Sequence, residues 1–140
     1  MCPVLYVVVP CYNEEEVLPE TSRRLKEKMQ ALMDAGRIAG ESRVLLVNDG
    51  SRDNTWAMIE DLHRREPLFA GVKLSRNRGH QNALLAGLMT AREEADVTIS
   101  MDADLQDDMG AMDRFLEEYE KGHDVVYGVR SRRDTDTWFK

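Results

Sequence analysis

The sequence predicts an α/β fold: a Rossmann-like, mostly parallel sheet with helices on both faces. Three observations lead there. Short apolar runs alternate with longer amphipathic stretches along a chain of 140 residues. The first two of those runs, "VLYVVV" and "RVLLVN", are almost continuously apolar rather than apolar at every second position, as strands covered on both faces must be. The stretches between them are long enough for the crossovers that parallel strands require.

The elements follow in order. "VLYVVV", Val4 to Val9, is the first strand. Glu14 to about Ala35 reads as a helix, with Leu18, Leu25, Met29 and Leu32 near helical spacing and charged residues between them. "RVLLVN", Arg43 to Asn48, is the second strand. Asp53 to Arg65 is a second helix, with Trp56, Ile59 and Leu62 on one face and Asp53 as its N-cap. "AGVKLS" is a third strand, "GHQNALLAGLMTAREEA" a third helix and "DVTISM" a fourth strand. Gly110 to Lys121 gives a fourth helix and "DVVYGV" a fifth strand. One domain is expected, residues 1–140, with no internal linker or repeat.

Composition narrows the function classes. The chain is 42% apolar and 32% charged, as in ordinary globular domains. A net charge of −7 argues against nucleic acid as a partner, since that needs a basic surface. It leaves room for a nucleotide whose phosphates are met by a metal or a few arginines. Cys2 and Cys11 are the only cysteines, which suggests no disulfide framework and a reducing, cytoplasmic setting. No apolar run reaches membrane length.

In an open parallel sheet, ligands bind beyond the carboxyl ends of the strands. Four polar clusters follow four strands: "PCYNEEE", "NDGSRDNT", "SRNRGHQN" and "DADLQDD". A single polar loop after a strand is usually only a loop, but four on one edge outline a site. In an extended segment Asp102 and Asp104 point to one side, and Gln106 continues that side. Two carboxylates and an amide oxygen suit a hard cation, Mg²⁺ or Mn²⁺, which relieves their repulsion. Asp107 and Asp108 are read instead as capping the next helix. Gly50, Ser51 and Asp53 are explained by a turn and a helix start, which leaves Asp49 spare at a strand's end. Pro10, Tyr12, Asn13 and Glu14 set an aromatic face and hydrogen-bonding groups beside it. His80 is read first as shaping the cleft and second as a catalytic group.

"VVVPCYNEEE", "VNDGSRDNT", "LSRNRGHQNALLAGL", "MDADLQDD" and "YGVRSRR" together resemble the inverting glycosyltransferase family 2, and within it the polyprenyl-phosphate glycosyltransferases. This group includes dolichyl-phosphate mannose synthases and bacterial undecaprenyl-phosphate sugar transferases. The resemblance implies a GT-A fold that binds a nucleotide sugar, UDP- or GDP-linked, and passes its hexose or pentose to a polyprenyl phosphate. By position, Pro10, Tyr12, Asn13, Glu14, Val47 and Asp49 would hold the nucleoside. Asp102, Ala103, Asp104 and Gln106 would hold the diphosphate through the metal, with Asp104 assigned to catalysis. Arg130 would meet phosphate, of donor or acceptor. Asn48, Arg78 and Asp108 depart from the family's usual residues, and Arg78 bears on the acceptor side.

The resemblance also implies a longer enzyme at the cytoplasmic face of a membrane, with its acceptor-binding and membrane-associated parts beyond this chain. An oligomer is compatible with everything above. A phospho-receiver domain would need a phosphorylatable aspartate where this chain has "SRNRG". A nucleotidyltransferase would need a glycine-rich opening loop, and "PCYNEEE" is its opposite. The alternative the sequence leaves open is a noncatalytic nucleotide-sugar-binding or regulatory module.

Overall fold

The computed structural model describes residues 2–104 and 109–122. The chain divides into two compact units, Met1–Asp104 and Leu105–Lys140. In the first unit, strands β1 (Leu5–Cys11), β2 (Arg43–Asn48), β3 (Phe69–Lys73) and β4 (Val97–Ser100) alternate with helices α1 (Leu18–Asp34), α2 (Thr55–Arg65) and α3 (His80–Ala91). The strands form one parallel sheet in the order β3-β2-β1-β4. In the second unit, α4 (Gly110–Glu120) carries Met112 and Leu116 four residues apart. It ends at Gly122, whose φ of +99° suits a glycine and whose N–H donates to the Tyr119 carbonyl. The expected fifth strand, "DVVYGV", lies outside the described residues, as do Gln106, Asp107, Asp108 and Arg130.

β1 and β2 read as unbroken apolar runs because they are central. Val7, Val8, Val9, Val44, Leu46 and Val47 are fully buried. α3 reaches the sheet through small residues. Ala83, Gly87 and Ala91, spaced by four, are its buried positions. A Cβ at Gly87 would come within 2.5 Å of Val8 Cγ1 and 2.8 Å of Val47 Cγ2, so the helix axis sits close to the strands.

Strand boundaries fall within one or two residues of the sequence expectation, but the first two helices start later. α1 begins at Leu18, not Glu14, with Pro19 in its first turn. Residues 14–17 form a turn instead, in which the N–H groups of Val17 and Leu18 both donate to the Glu14 carbonyl. α2 begins at Thr55, so Asp53 is not its N-cap; Asn54 is. The Asp53 carboxylate still accepts from the Thr55 N–H (2.9 Å) and hydroxyl (2.6 Å), from one position further out.

Candidate active site

β1 is the strand from which the order departs both ways: β2 and β3 lie on one side and β4 on the other. This is the topological switch point, where the connections diverge and leave a crevice at the strands' carboxyl ends. β1 ends at Cys11 and β4 at Ser100, so "YNEE" and "MDAD" flank that crevice.

The two loops after β1 and β2 are tied together by reciprocal bonds. The Asn13 N–H donates to Ser51 Oγ (2.9 Å), and the Arg52 N–H donates to Asn13 Oδ1 (2.8 Å). The Glu14 N–H donates to Thr55 Oγ1 (2.9 Å) and the Glu15 N–H to Asp53 Oδ2 (3.2 Å). The Asn54 N–H donates to Glu15 Oε1 (2.9 Å). Asn13 takes a φ of +51°, which asparagine tolerates better than most residues and which turns the chain into this contact. The bonds consume backbone N–H groups of both loops and hold Tyr12, itself 43% exposed, at the rim.

Asp49 is not spare. It is 3% exposed; its Oδ1 accepts the Arg78 N–H (2.7 Å) and its Oδ2 the Asn77 amide (3.3 Å). The same amide donates to the Asp49 carbonyl (3.1 Å). Asp49 therefore fastens the loop after β3, a long-range partnership that the sequence does not display. Pro10 and Val47 are register partners in the ladder. Val47 is fully buried in the cluster that includes Ala83 and Ala91, so its side chain belongs to the core.

After β4 the chain alternates. Met101 and Ala103 are buried, Asp102 is half-buried and Asp104 exposed, and Ala103 and Asp104 lie in a turn rather than in the extended segment that the sequence predicts. The segment is clamped from α1: the buried Thr21 hydroxyl donates to the Ala103 carbonyl at 2.5 Å. Sequence reasoning missed Thr21. Its signal was a hydroxyl three residues after Leu18 and four before Leu25, on the apolar stripe. Replacing it with valine should cost about 1 kcal/mol by urea unfolding and weaken divalent-cation affinity, because the Ala103 carbonyl loses a buried partner. Unchanged stability together with unchanged cation affinity would refute the clamp.

Negative charge is concentrated here. The Glu14 carboxyl is raised above its ordinary range, first by burial and then by the charges of Asp104, Asp53 and Asp102. Burial acts on Asp53 in the same direction, but the bonds it accepts from Thr55 and Glu15 outweigh it and hold it low. A carboxyl raised in the fold opposes folding once ionised, so its penalty is absent in acid and complete above its folded pKa. Glu14→Gln should therefore raise Tm at about pH 7 and leave it unchanged at about pH 3. Equal effects at both pH values would show that Glu14 acts by packing alone. Cys11, buried and beside Glu14, has its thiol pushed up to about 12, which makes it inert at neutral pH. His80 opens α3 with Nε2 4.0 Å from Asp102 Oδ1, beyond hydrogen-bond length but close enough to shape that wall.

Asp102 and Asp104 fit Mg²⁺ or Mn²⁺. Such ions are commonly held by one or two carboxylates, with substrate phosphates and water completing the shell, rather than by an all-protein cage. Among the described residues no three or more His, Cys, Asp or Glu gather into such a cage.

A parallel α/β sheet with interlocked loops and a crevice at its switch point is an architecture in which ligands bind beyond the carboxyl ends of the strands. The chain belongs to glycosyl transferase family 2, whose profile matches residues 6–140. It is 51% identical to the uncharacterized glycosyltransferase YkoT of Bacillus subtilis, over 99% of this chain and 41% of that protein. It is 36% identical to the undecaprenyl-phosphate 4-deoxy-4-formamido-L-arabinose transferase of Proteus mirabilis, over 96% of this chain and 39% of that one. The chain thus spans about two fifths of the length of these relatives. Among solved structures it resembles the mannosyltransferase PcManGT from Pyrobaculum calidifontis in complex with GDP-Man and Mn²⁺ (TM-score 0.61, 24% identity, 74% of this chain and 28% of that one). It also resembles S. aureus TarS in complex with UDP (TM-score 0.61, 20% identity, 92% and 40%). The fold is of the GT-A type. Among the described residues no helix is long and apolar enough to cross a membrane.

Proposed function

We propose that residues 1–140 form the donor-binding part of a transferase that moves a hexose or pentose from a UDP- or GDP-sugar to a polyprenyl phosphate, with inversion. The observation that carries this is the acidic pair Asp102 and Asp104 directly after β4, beside the switch point, where their charges add to burial in raising Glu14. The relatives named for undecaprenyl-phosphate transfer support the acceptor class. A family 2 chain working on a lipid acceptor would act at the cytoplasmic face of a membrane.

In this reading Tyr12 offers a ring face to the base, while Asn13 and Glu14 supply polar groups beside it. Asp49, whose two oxygens already accept from Asn77 and Arg78, would take a ring N–H from uracil or guanine as a further bond on the same carboxylate. Pro10 and Val47 contribute rigid backbone below. Asp102 and Asp104, with Ala103 between them and Gln106 following, hold the diphosphate through Mg²⁺ or Mn²⁺. The bound cation would supply neutralisation of charge on the leaving diphosphate. Arg130 is assigned to phosphate on the acceptor side, where a guanidinium can pair bidentately. A phosphate acceptor is ionised near neutral pH, so proton removal by a strong base is not required.

Adenine lacks the ring N–H that Asp49 would accept. With Mn²⁺ present, UDP or GDP should raise Tm by several degrees and ADP by much less, as differential binding to the folded state requires. Equal stabilisation by ADP would overturn the base assignment. No stabilisation by any nucleotide diphosphate would overturn the donor-site reading itself.

A further inference from the structure

α3 is unlike its neighbours. The outer faces of α1 and α2 carry ion pairs, Arg23 with Glu20 and Glu27, and Arg64 and Arg65 with Asp61. From Gln81 to Ala91, α3 has no charged residue, in a chain 32% charged. Its sheet-facing side is satisfied by Ala83, Gly87 and Ala91. On the other side Leu85 and Met89 are 56% and 52% exposed. Asn82, Leu85, Ala86 and Met89 share one helical face by their spacing. Asn82 and Ala86 also line a groove of about 520 Å³ whose other walls are Leu74, Arg76, Asn77 and Arg78.

The groove is cationic and its backbone is fixed. Arg76 and Arg78 are exposed, and among the described residues neither guanidinium makes an ion pair. Asp49 holds the Arg78 N–H and the Asn77 amide from beneath. Gly50 lets the loop settle so close that a Cβ there would meet Asn77 N at 2.2 Å. At the far end of the stripe, Arg92 Nη1 lies 3.8 Å from Met89 Sδ and adds a third guanidinium. Glu93 and Glu94 follow only after the helix has ended.

We propose that this face docks on an anionic phospholipid bilayer: Arg76 and Arg78 pair with lipid phosphates while Leu85 and Met89 enter the interface between headgroups and acyl chains. Charge complementarity selects this occupant. A chain of net charge −7 is repelled overall by an anionic surface, so contact needs a face where cations and apolar side chains are exposed together, and that combination matches an amphiphile. The proposal rests on Arg76, Arg78, Leu85 and Met89 and not on donor or metal binding, although α3 begins at His80, whose Nε2 lies 4.0 Å from Asp102 Oδ1.

The test is flotation of the chain with vesicles of phosphatidylcholine alone and with about a third phosphatidylglycerol. Binding should require the anionic lipid and fall with salt. Arg76→Gln and Arg78→Gln should each lower the partition coefficient about fivefold, and Leu85→Ser with Met89→Ser should lower it as well, with melting curves kept near that of the parent. Three results would overturn the proposal: no binding to either vesicle, equal binding to both, or binding untouched by these substitutions. So would complete displacement by millimolar glycerol phosphate, which marks a small phosphate pocket. Self-association that disappears with Leu85→Ser would also overturn it, by marking an interface between copies.

Discussion

Asp104→Ala should abolish Mn²⁺-dependent binding of UDP or GDP, a loss on the order of a hundredfold or more in affinity, while leaving the fold intact. Asp104 is exposed, so its removal opens no cavity. It supplies one of the two described carboxylates directly after β4, and a cation held by one or two protein oxygens depends on each. A second readout separates this role from a structural one. That readout is the melting temperature without metal: Asp104 is exposed and its charge only adds to burial in raising Glu14, so a variant that loses metal binding alone should melt near the parent. Titration calorimetry showing undiminished metal-dependent affinity would remove Asp104 from the site. A lowered melting temperature without metal would mark it as structural.

Gly50→Ala should cost about 3–4 kcal/mol and lower Tm by about 10 °C, near the upper end for a single substitution. Two effects combine. The φ of +69° strains any residue with a Cβ. That Cβ would also lie 2.2 Å from Asn77 N, 2.5 Å from the Arg76 carbonyl carbon and 2.9 Å from Asn77 Cα. All three are backbone atoms, so no side chain can rotate away. Gly36 provides the control: its φ is +72°, but nothing lies within 4 Å of its Cβ position. Gly36→Ala should therefore cost only about 1 kcal/mol. Chemical denaturation of both variants checks the difference. Equal losses would mean that the close approach of the two loops is not what Gly50 serves.

The central strands β1 and β2 were legible because burial on both faces writes itself as unbroken apolar runs, and the parallel topology because strands alternate with helices; β3 and β4, at the edges of the described sheet, are only partly buried. The alternation of burial from Met101 to Asp104 was legible from the two-residue spacing, but the turn at Ala103 and Asp104 was not. What was not legible depends on partners far away in sequence. The acids of "NEEE" resemble a first helical turn, yet Glu14 and Glu15 spend their N–H groups on Thr55 and Asp53, and α1 waits for Leu18 and Pro19. Asp53 has the chemistry of an N-cap but answers to Glu15 as well as to Thr55. Asp49 looked unused because Asn77 and Arg78 lie 28 and 29 residues away. Thr21 looked like an ordinary helix residue because its acceptor is 82 residues distant.

The register of β1 against β4 has a kinetic consequence. Leu5 pairs with Val97, and the Val4 N–H is capped by Asp96 across 92 residues. Pairings of such separation pay their loop-closure entropy before they return any stabilisation, and they slow folding. β1 to β3 can associate through shorter loops, but Asp102 reaches the crevice only when β4 has joined the opposite side of β1. The acidic pair is thus assembled by the longest-range pairing in the described sheet. Delivery of Asp102 and Asp104 to the crevice and completion of the sheet are therefore one thermodynamically linked event, and any ligand that needs both carboxylates there would stabilise the completed sheet over its parts.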